Sequence, residues 1–317
     1  MLDWLWIKGK IGARALWRAG VKLSFDFGLV VASNVALSLL LSLFPFLMLV
    51  AGLVRYFGGA ELTEDVVGLV LDTWPKGSAE AVSKAVRRAI ANDGSSFFSF
   101  STIVALVLAS NGVENARDGL NRAYRVPETR SFLWRRVQAV IVVVIGAFGL
   151  IVAASVLVGL PLAVEFVRNH STIANDPSAT AFLADRRVVA LFTLGRYLTG
   201  GLVLFAILWA FHRYLPDGDR RIRRTWPGIL VTIVGVIMGS ELFALYLDYN
   251  ANYTALYAGL ASIMVSIFYL YIVSALLIYG AEFNQTLQEM ERERRAAEEA
   301  RHYRRKRRRG READAAT

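Results

Sequence analysis

The apolar residues of this chain come in blocks of about twenty, and that spacing dictates most of its architecture. A helix of about twenty residues crosses the roughly 30 Å hydrocarbon core of a bilayer. Six blocks stand out, at about 28–54, 97–113, 137–165, 188–211, 228–248 and 259–283. The second is the shortest and runs into polar sequence. Together they lift the hydrophobic share of the 317 residues to 55% and the mean hydropathy to +0.43. Such a composition argues against a soluble enzyme, a disordered chain and a secreted disulfide scaffold. There is no cysteine, which removes disulfides, thiolate nucleophiles and Cys-ligated metal. The three histidines, His170, His212 and His302, are far apart, so no metal site and no cofactor is expected.

The net charge of +10 is unevenly placed. The first segment, the loops 114–136 and 212–227 and the tail 284–317 together hold 27 of the 36 Lys and Arg residues. The alternate loops 55–96, 166–187 and 249–258 hold 8. The positive-inside rule then predicts an all-α polytopic membrane protein with six transmembrane helices and both termini in the cytoplasm.

Three parts follow. Residues 1–26 interleave Trp4, Trp6 and Trp17 with five basic residues and read as an interfacial amphipathic helix, not a cleavable signal. Residues 27–285 form the six-helix membrane domain, in which 55–96 reads as one or two short extracytoplasmic helices broken at Trp74–Pro75. Residues 286–317 form a basic cytoplasmic tail that continues the last helix, with Glu291–Arg295 and Arg294–Glu298 at helical i,i+4 spacing.

Polar groups inside apolar blocks are costly, so their positions are the functional pointers. In the first span Asn34, Ser38 and Ser42 share one helical face, and Pro45 frees the carbonyl of Leu41, with Ser42 placed to help satisfy it. This face either packs on another helix or lines a substrate path. Asn111, Asn115, Asp118 and Arg122 form a stripe leaving the second span, flanked by Glu114. It reads equally as a cavity wall or as the solvated end of a cytoplasmic helix. Arg196 in the fourth span either snorkels, pairs structurally with a carboxylate such as Glu241, Asp248 or Glu165, or serves a substrate. Tyr253 and Tyr257 sit in an outer loop where tyrosines also serve as interfacial anchors. Glu282, just after Gly280, is a boundary carboxylate or a partner for a loop arginine.

Several phrases resemble one family. SLLLSLFPFLMLVAGL, NGVENARDGLNRAYRVPETRSFLWRR, RYLPD, WPGILV, YTALYAGLASI and GAEFN occur in order across roughly 28–286. They are similar to the YihY/BrkB family of bacterial inner-membrane proteins, and the resemblance implies six spans and an inner (plasma) membrane location. The family has carried the labels virulence factor and ribonuclease BN. Three dispersed histidines cannot assemble the metal cluster that a metal-dependent ribonuclease needs. Nor does a span carry GxSxG, HExxH or a Ser–His pair, so no enzyme is expected.

Two functions remain. One is a transporter or lipid-translocating protein for a lipid or other amphipathic anion. It has no GxxxxGK[ST] loop, so it is not ATP-driven by itself. The alternative is a non-transporting scaffold that uses the RRKRRR run at 304–309. The expected partners are membrane lipids, with anionic headgroups at the cytoplasmic face. Nucleic acid is not expected, and a homo-oligomer is compatible with either function.

Overall fold

The computed structural model describes residues 2–72, 100–154, 186–218, 222–249 and 261–314. The elements among them are all helices: α1 (Leu2–Phe25), α2 (Gly28–Asp72), α3 (Phe100–Ala123), α4 (Phe132–Ala154), α5 (Arg186–Tyr214), α6 (Ile222–Tyr249) and α7 (Ala261–Asp314). Each of the six apolar blocks lies largely on one of α2 to α7. Four of these are long and apolar enough to cross a membrane: α2, α4, α6 and α7. The apolar part of α3 gives way to Ser110–Asn111, and α5 carries a shorter apolar stretch at Gly200–Tyr214.

Two helices exceed a bilayer by far. At 1.5 Å per residue, the 45 residues of α2 reach about 67 Å and the 54 of α7 about 80 Å. Residues 55–72 therefore continue the first apolar helix without a break, where the sequence suggested separate short helices. Trp74–Pro75 lies outside the described residues. The helix also passes through Pro45. The Ser42 hydroxyl donates to the carbonyl of Leu39 at 3.1 Å, not to that of Leu41, two residues further on. This is the usual reach of a helical serine toward its own preceding turn. The tail does continue α7, with both i,i+4 pairs formed: Arg294–Glu298 at 2.9 Å, and Arg295–Glu291.

The core is built from small and branched side chains on α2, α3, α4 and α7. Ala32, Val35, Ala116, Leu120, Ala139, Val143, Leu277 and Ala281 are all buried in it. The small ones let helix axes approach closely, the main device where lipid removes any hydrophobic drive between helices. Gly112 of α3 abuts Ser42 and Leu39 of α2. Gly228 of α6 faces Gly280 of α7, and a Cβ on Gly280 would lie 2.6 Å from the Gly228 carbonyl oxygen. α1 lies along α7 through Ala15, Ala19 and Phe283, and the Tyr279 hydroxyl donates to the carbonyl of Leu16 at 3.0 Å.

The outward faces are apolar. Only 17% of the apolar windows of α4 and α6 is buried within the structure. Leu133, Ile145, Val152, Met238, Leu242 and Leu245 are exposed. Ranks of exposed large side chains on long helices are what lipid contact requires, since a soluble surface rarely shows so large a patch.

The Gly228–Gly280 contact sets a test. Gly280→Ala drives a methyl into backbone and should cost about 1–3 kcal/mol, an ordinary overpacking penalty. Gly146→Ala, with nothing within 4 Å of the new Cβ, serves as control. Thermal unfolding in detergent should show a lowered midpoint for the first variant only, and equal midpoints would refute the contact.

Candidate functional site

One end of the bundle carries a continuous polar network. α3 ends there in a turn that its sequence makes costly. The Val126 amide donates to the carbonyl of Asn121 and the Arg125 amide to that of Arg122, both at 3.0 Å. This is a Schellman closure, whose left-handed position normally takes Gly. Here Arg125 occupies it at φ 54°. Its guanidinium offsets that strain. It binds Asp26 at 2.9 Å and the buried Glu282 at 3.0 Å, with Glu289 at 3.8 Å. Burial works to lower the Arg125 pKa, but Glu282 and its neighbours outweigh it and raise it further. Asp26 precedes a second left-handed residue, Phe27 at φ 58°, in the turn between α1 and α2. Both strained turns thus meet on one arginine.

The loop after α3 and the loop after α5 are joined by Asn121, 5% exposed. Its Nδ2 donates to Glu128 at 2.9 Å, and its Oδ1 accepts from the Asp217 amide at 2.8 Å. Arg130 grips Glu128 with two hydrogen bonds, at 2.8 and 2.9 Å, and donates to the Leu215 carbonyl at 2.7 Å. Asp217 accepts from the Thr129 amide at 2.7 Å and from the Thr129 hydroxyl. Burial pushes the Glu128 carboxyl up, but its bonds from Arg130 and Asn121 prevail and hold it low. The Thr129 bonds hold Asp217 low.

Deeper in, Arg117 is fully buried. It donates to Glu114 at 2.8 Å and to the Arg135 carbonyl at 3.1 Å. Behind it, Tyr124 shares a 2.7 Å hydrogen bond with the Nδ1 of the buried His212 and accepts from Asn284 at 3.2 Å. Asn284 also donates to the Thr225 carbonyl at 2.8 Å and accepts from the Gly228 amide at 2.7 Å. It thereby satisfies backbone groups of the first turns of α6, beside Pro227, which has no N–H to donate.

The residues singled out in the sequence divide. Ser42 and Pro45 are buried in helix packing. Glu282 and Glu114 are tied to arginines. Asn111 is half-buried, accepting from Arg136 at 2.8 Å, and Asn115 donates back to the Asn111 carbonyl at 3.0 Å. Ser38 is half-buried, while Asn34, Asp118, Arg122 and Glu241 are exposed. Burial and the charge of Glu114 push the Asp118 carboxyl up, over the opposing pull of Arg135 and Arg117. Arg196 lies on α5, but its side chain, like Tyr253, Tyr257 and Glu165, is outside the described residues. The sequence reading missed Arg117, Asn121, Tyr124, Arg125, Arg130, His212, Asp217 and Asn284. A signal existed for the α3 members: Ala109, Gly112, Ala116 and Ala123 mark the packed side of α3. That turns its buried polar face to Ser110, Arg117 and Asn121.

The lowered carboxylates fix a pH dependence. A depressed carboxylate contributes stability that is full above its unfolded pKa and is lost as pH falls through the folded one. Stability from Glu128 and Asp217 should therefore hold at neutral pH and decline below about pH 4. Asp118, shifted upward, acts in the opposite sense, its charge relieved as pH falls. Glu128→Gln should lower the neutral-pH unfolding midpoint by the equivalent of about 1–3 kcal/mol. It should also flatten the decline below pH 4. An unchanged acid limb in Glu128→Gln would contradict the assignment.

The family model described as virulence factor BrkB matches residues 21–304. A Bacillus subtilis (strain 168) protein, the "ribonuclease-like protein YfkH", is 30% identical over 256 residues, covering 81% of this chain and 88% of its own. A UPF0761 membrane protein of Vibrio parahaemolyticus is 26% identical over 274 residues, covering 85% and 81%. Another from Vibrio atlanticus is 24% identical over 266 residues, covering 82% and 78%. No solved structure matches the chain. Among the described residues, no three His, Cys, Asp or Glu side chains are grouped to hold a metal ion. The phrases NGVENARDGLNRAYRVPETR, RYLPD, WPG and GAEFN, distant in sequence, all meet at the polar end of the bundle. The chain belongs to the virulence factor BrkB family of membrane proteins.

Proposed function

We propose that this protein moves a lipid or other amphipathic anion across the bacterial inner membrane, without a nucleotide-driven step of its own. In this reading it has six spans, with both termini and the polar network on the cytoplasmic side. The charge asymmetry of the loops supports that orientation. The observation that carries the reading is the junction of α3 and α4. Glu114, Arg117 and the exposed Asp118 stand beside Arg135 and Arg136, immediately below the apolar face of α4. Both arginines lie 5.9 Å from the exposed ring of Phe132. Cations set at the edge of a lipid-facing surface suit a phosphate or carboxylate headgroup whose chains stay in the hydrocarbon.

The unbroken α7 favours a second reading, in which its basic extension holds the protein to anionic lipid or to a partner as a scaffold. Purified protein in vesicles of labelled phosphatidylglycerol distinguishes the two. Translocation is expected to move inner-leaflet label to the outer leaflet faster than in protein-free vesicles. Arg136→Gln should slow that movement, and removal of residues 304–317 should leave it intact. No movement of any labelled anionic lipid would remove the proposal and leave the scaffold.

A further inference from the structure

A cleft of about 400 Å³ lies between α1 and α7, away from the α3–α4 junction. Its walls are apolar where Trp17 and Val21 face Met290, and Trp17 is 77% exposed. Its charges are of both signs. Arg18 and Lys22 come from α1, Glu289 and Glu293 from α7. Lys22 pairs with Glu289, while Arg18 reaches Glu293 only at 3.4 Å, between two well-exposed side chains. An exposed pair of that length contributes little and yields readily to a better partner. Glu289 is held in place by Gln285 at 3.3 Å and by Arg125 at 3.8 Å. Thr286 also lines the cleft. It is 1% exposed, and its hydroxyl has no hydrogen-bond partner among the described residues. An unmet buried hydroxyl costs free energy that a bound ligand would recover.

We propose that this cleft binds a phosphoethanolamine headgroup, delivered by a phospholipid of the leaflet in which α1 lies. The match is of charge, hydrogen bonding and shape. The ligand phosphate accepts from Arg18 and Lys22, and its ammonium donates to Glu293 and Glu289. The Thr286 hydroxyl donates to a phosphate or ester oxygen. The glycerol and chains leave past Trp17, a residue type suited to the headgroup boundary. A choline headgroup has no N–H to offer the carboxylates, and a glycerol headgroup leaves both carboxylates facing an uncompensated anion. The assignment rests on the six-span reading only in placing α1 at headgroup level. It does not require lipid movement.

The test uses the full chain in mixed micelles with equal phosphatidylethanolamine, phosphatidylglycerol and phosphatidylcholine, the retained lipid being identified by native mass spectrometry. Phosphatidylethanolamine should be enriched. Thr286→Val, which keeps side-chain shape, and the surface change Glu293→Gln should each weaken that enrichment about tenfold, the effect of one charge-assisted hydrogen bond. Retention of phosphatidylglycerol instead, no selection, or unchanged selection in both variants would overturn the proposal. Displacement by equimolar free glycerophosphoethanolamine would overturn the lipid as its source. Enrichment without translocation in vesicles would defeat the proposed function and leave the cleft standing, and the converse result would do the reverse.

Discussion

A charge taken out of water must meet its counter-charge inside the protein, and the polar end of this bundle is arranged around that constraint. Arg125, which meets the buried carboxylate of Glu282, is the clearest case of such pairing. It sits in a backbone conformation that favours glycine, at the meeting point of α1, α3 and α7. Only its carboxylate partners make that position tolerable. Asp26 and Glu282 are 99 and 157 residues away in sequence, so forming these pairs closes the chain on itself. Asn121 and Asn284 extend the same logic with neutral groups, each accepting from a backbone amide while donating to an oxygen of another segment.

The rest of the fold depends on that end being fixed. Along their apolar lengths the helices have no hydrophobic drive to associate once lipid surrounds them. They rely on close approach at Gly112, Gly228 and Gly280 and on alanine-rich seams. Close approach aligns helix axes, but it gives weak register by itself. Polar ties at one end supply register and leave the outer faces of α4 and α6 open to lipid. A protein built in this way is stiff at one boundary and adaptable across the bilayer, which suits contact with mobile amphipathic molecules.

The helical class and the placement of each apolar block were legible because periodicity and length leave little choice for runs of that hydropathy. The tail helix was legible from its i,i+4 pairs. The site was less so. The stripe Asn111–Asn115–Asp118–Arg122 was chosen for its polarity, but a rotation of about 100° along α3 separates it from Arg117 and Asn121, the pair that is buried. Polarity alone does not tell which face packs. The run of small residues at 109, 112, 116 and 123 does, because only those permit the approach of α2. Glu282 could be suspected of pairing with a loop arginine. That the partner is Arg125 follows from a turn conformation that no local rule assigns to an arginine.

The most direct measurement is a double-mutant cycle on Arg125 and Glu282. Unfolding would be followed in nanodiscs for the wild type, Arg125→Gln, Glu282→Gln and the double variant. If this pair anchors the polar end, the two single losses will be strongly non-additive, with a coupling of about 1–3 kcal/mol. The double variant will then be little worse than either single one. Losses that simply add would show that the two charges act separately, and the account of a closed polar end would fail.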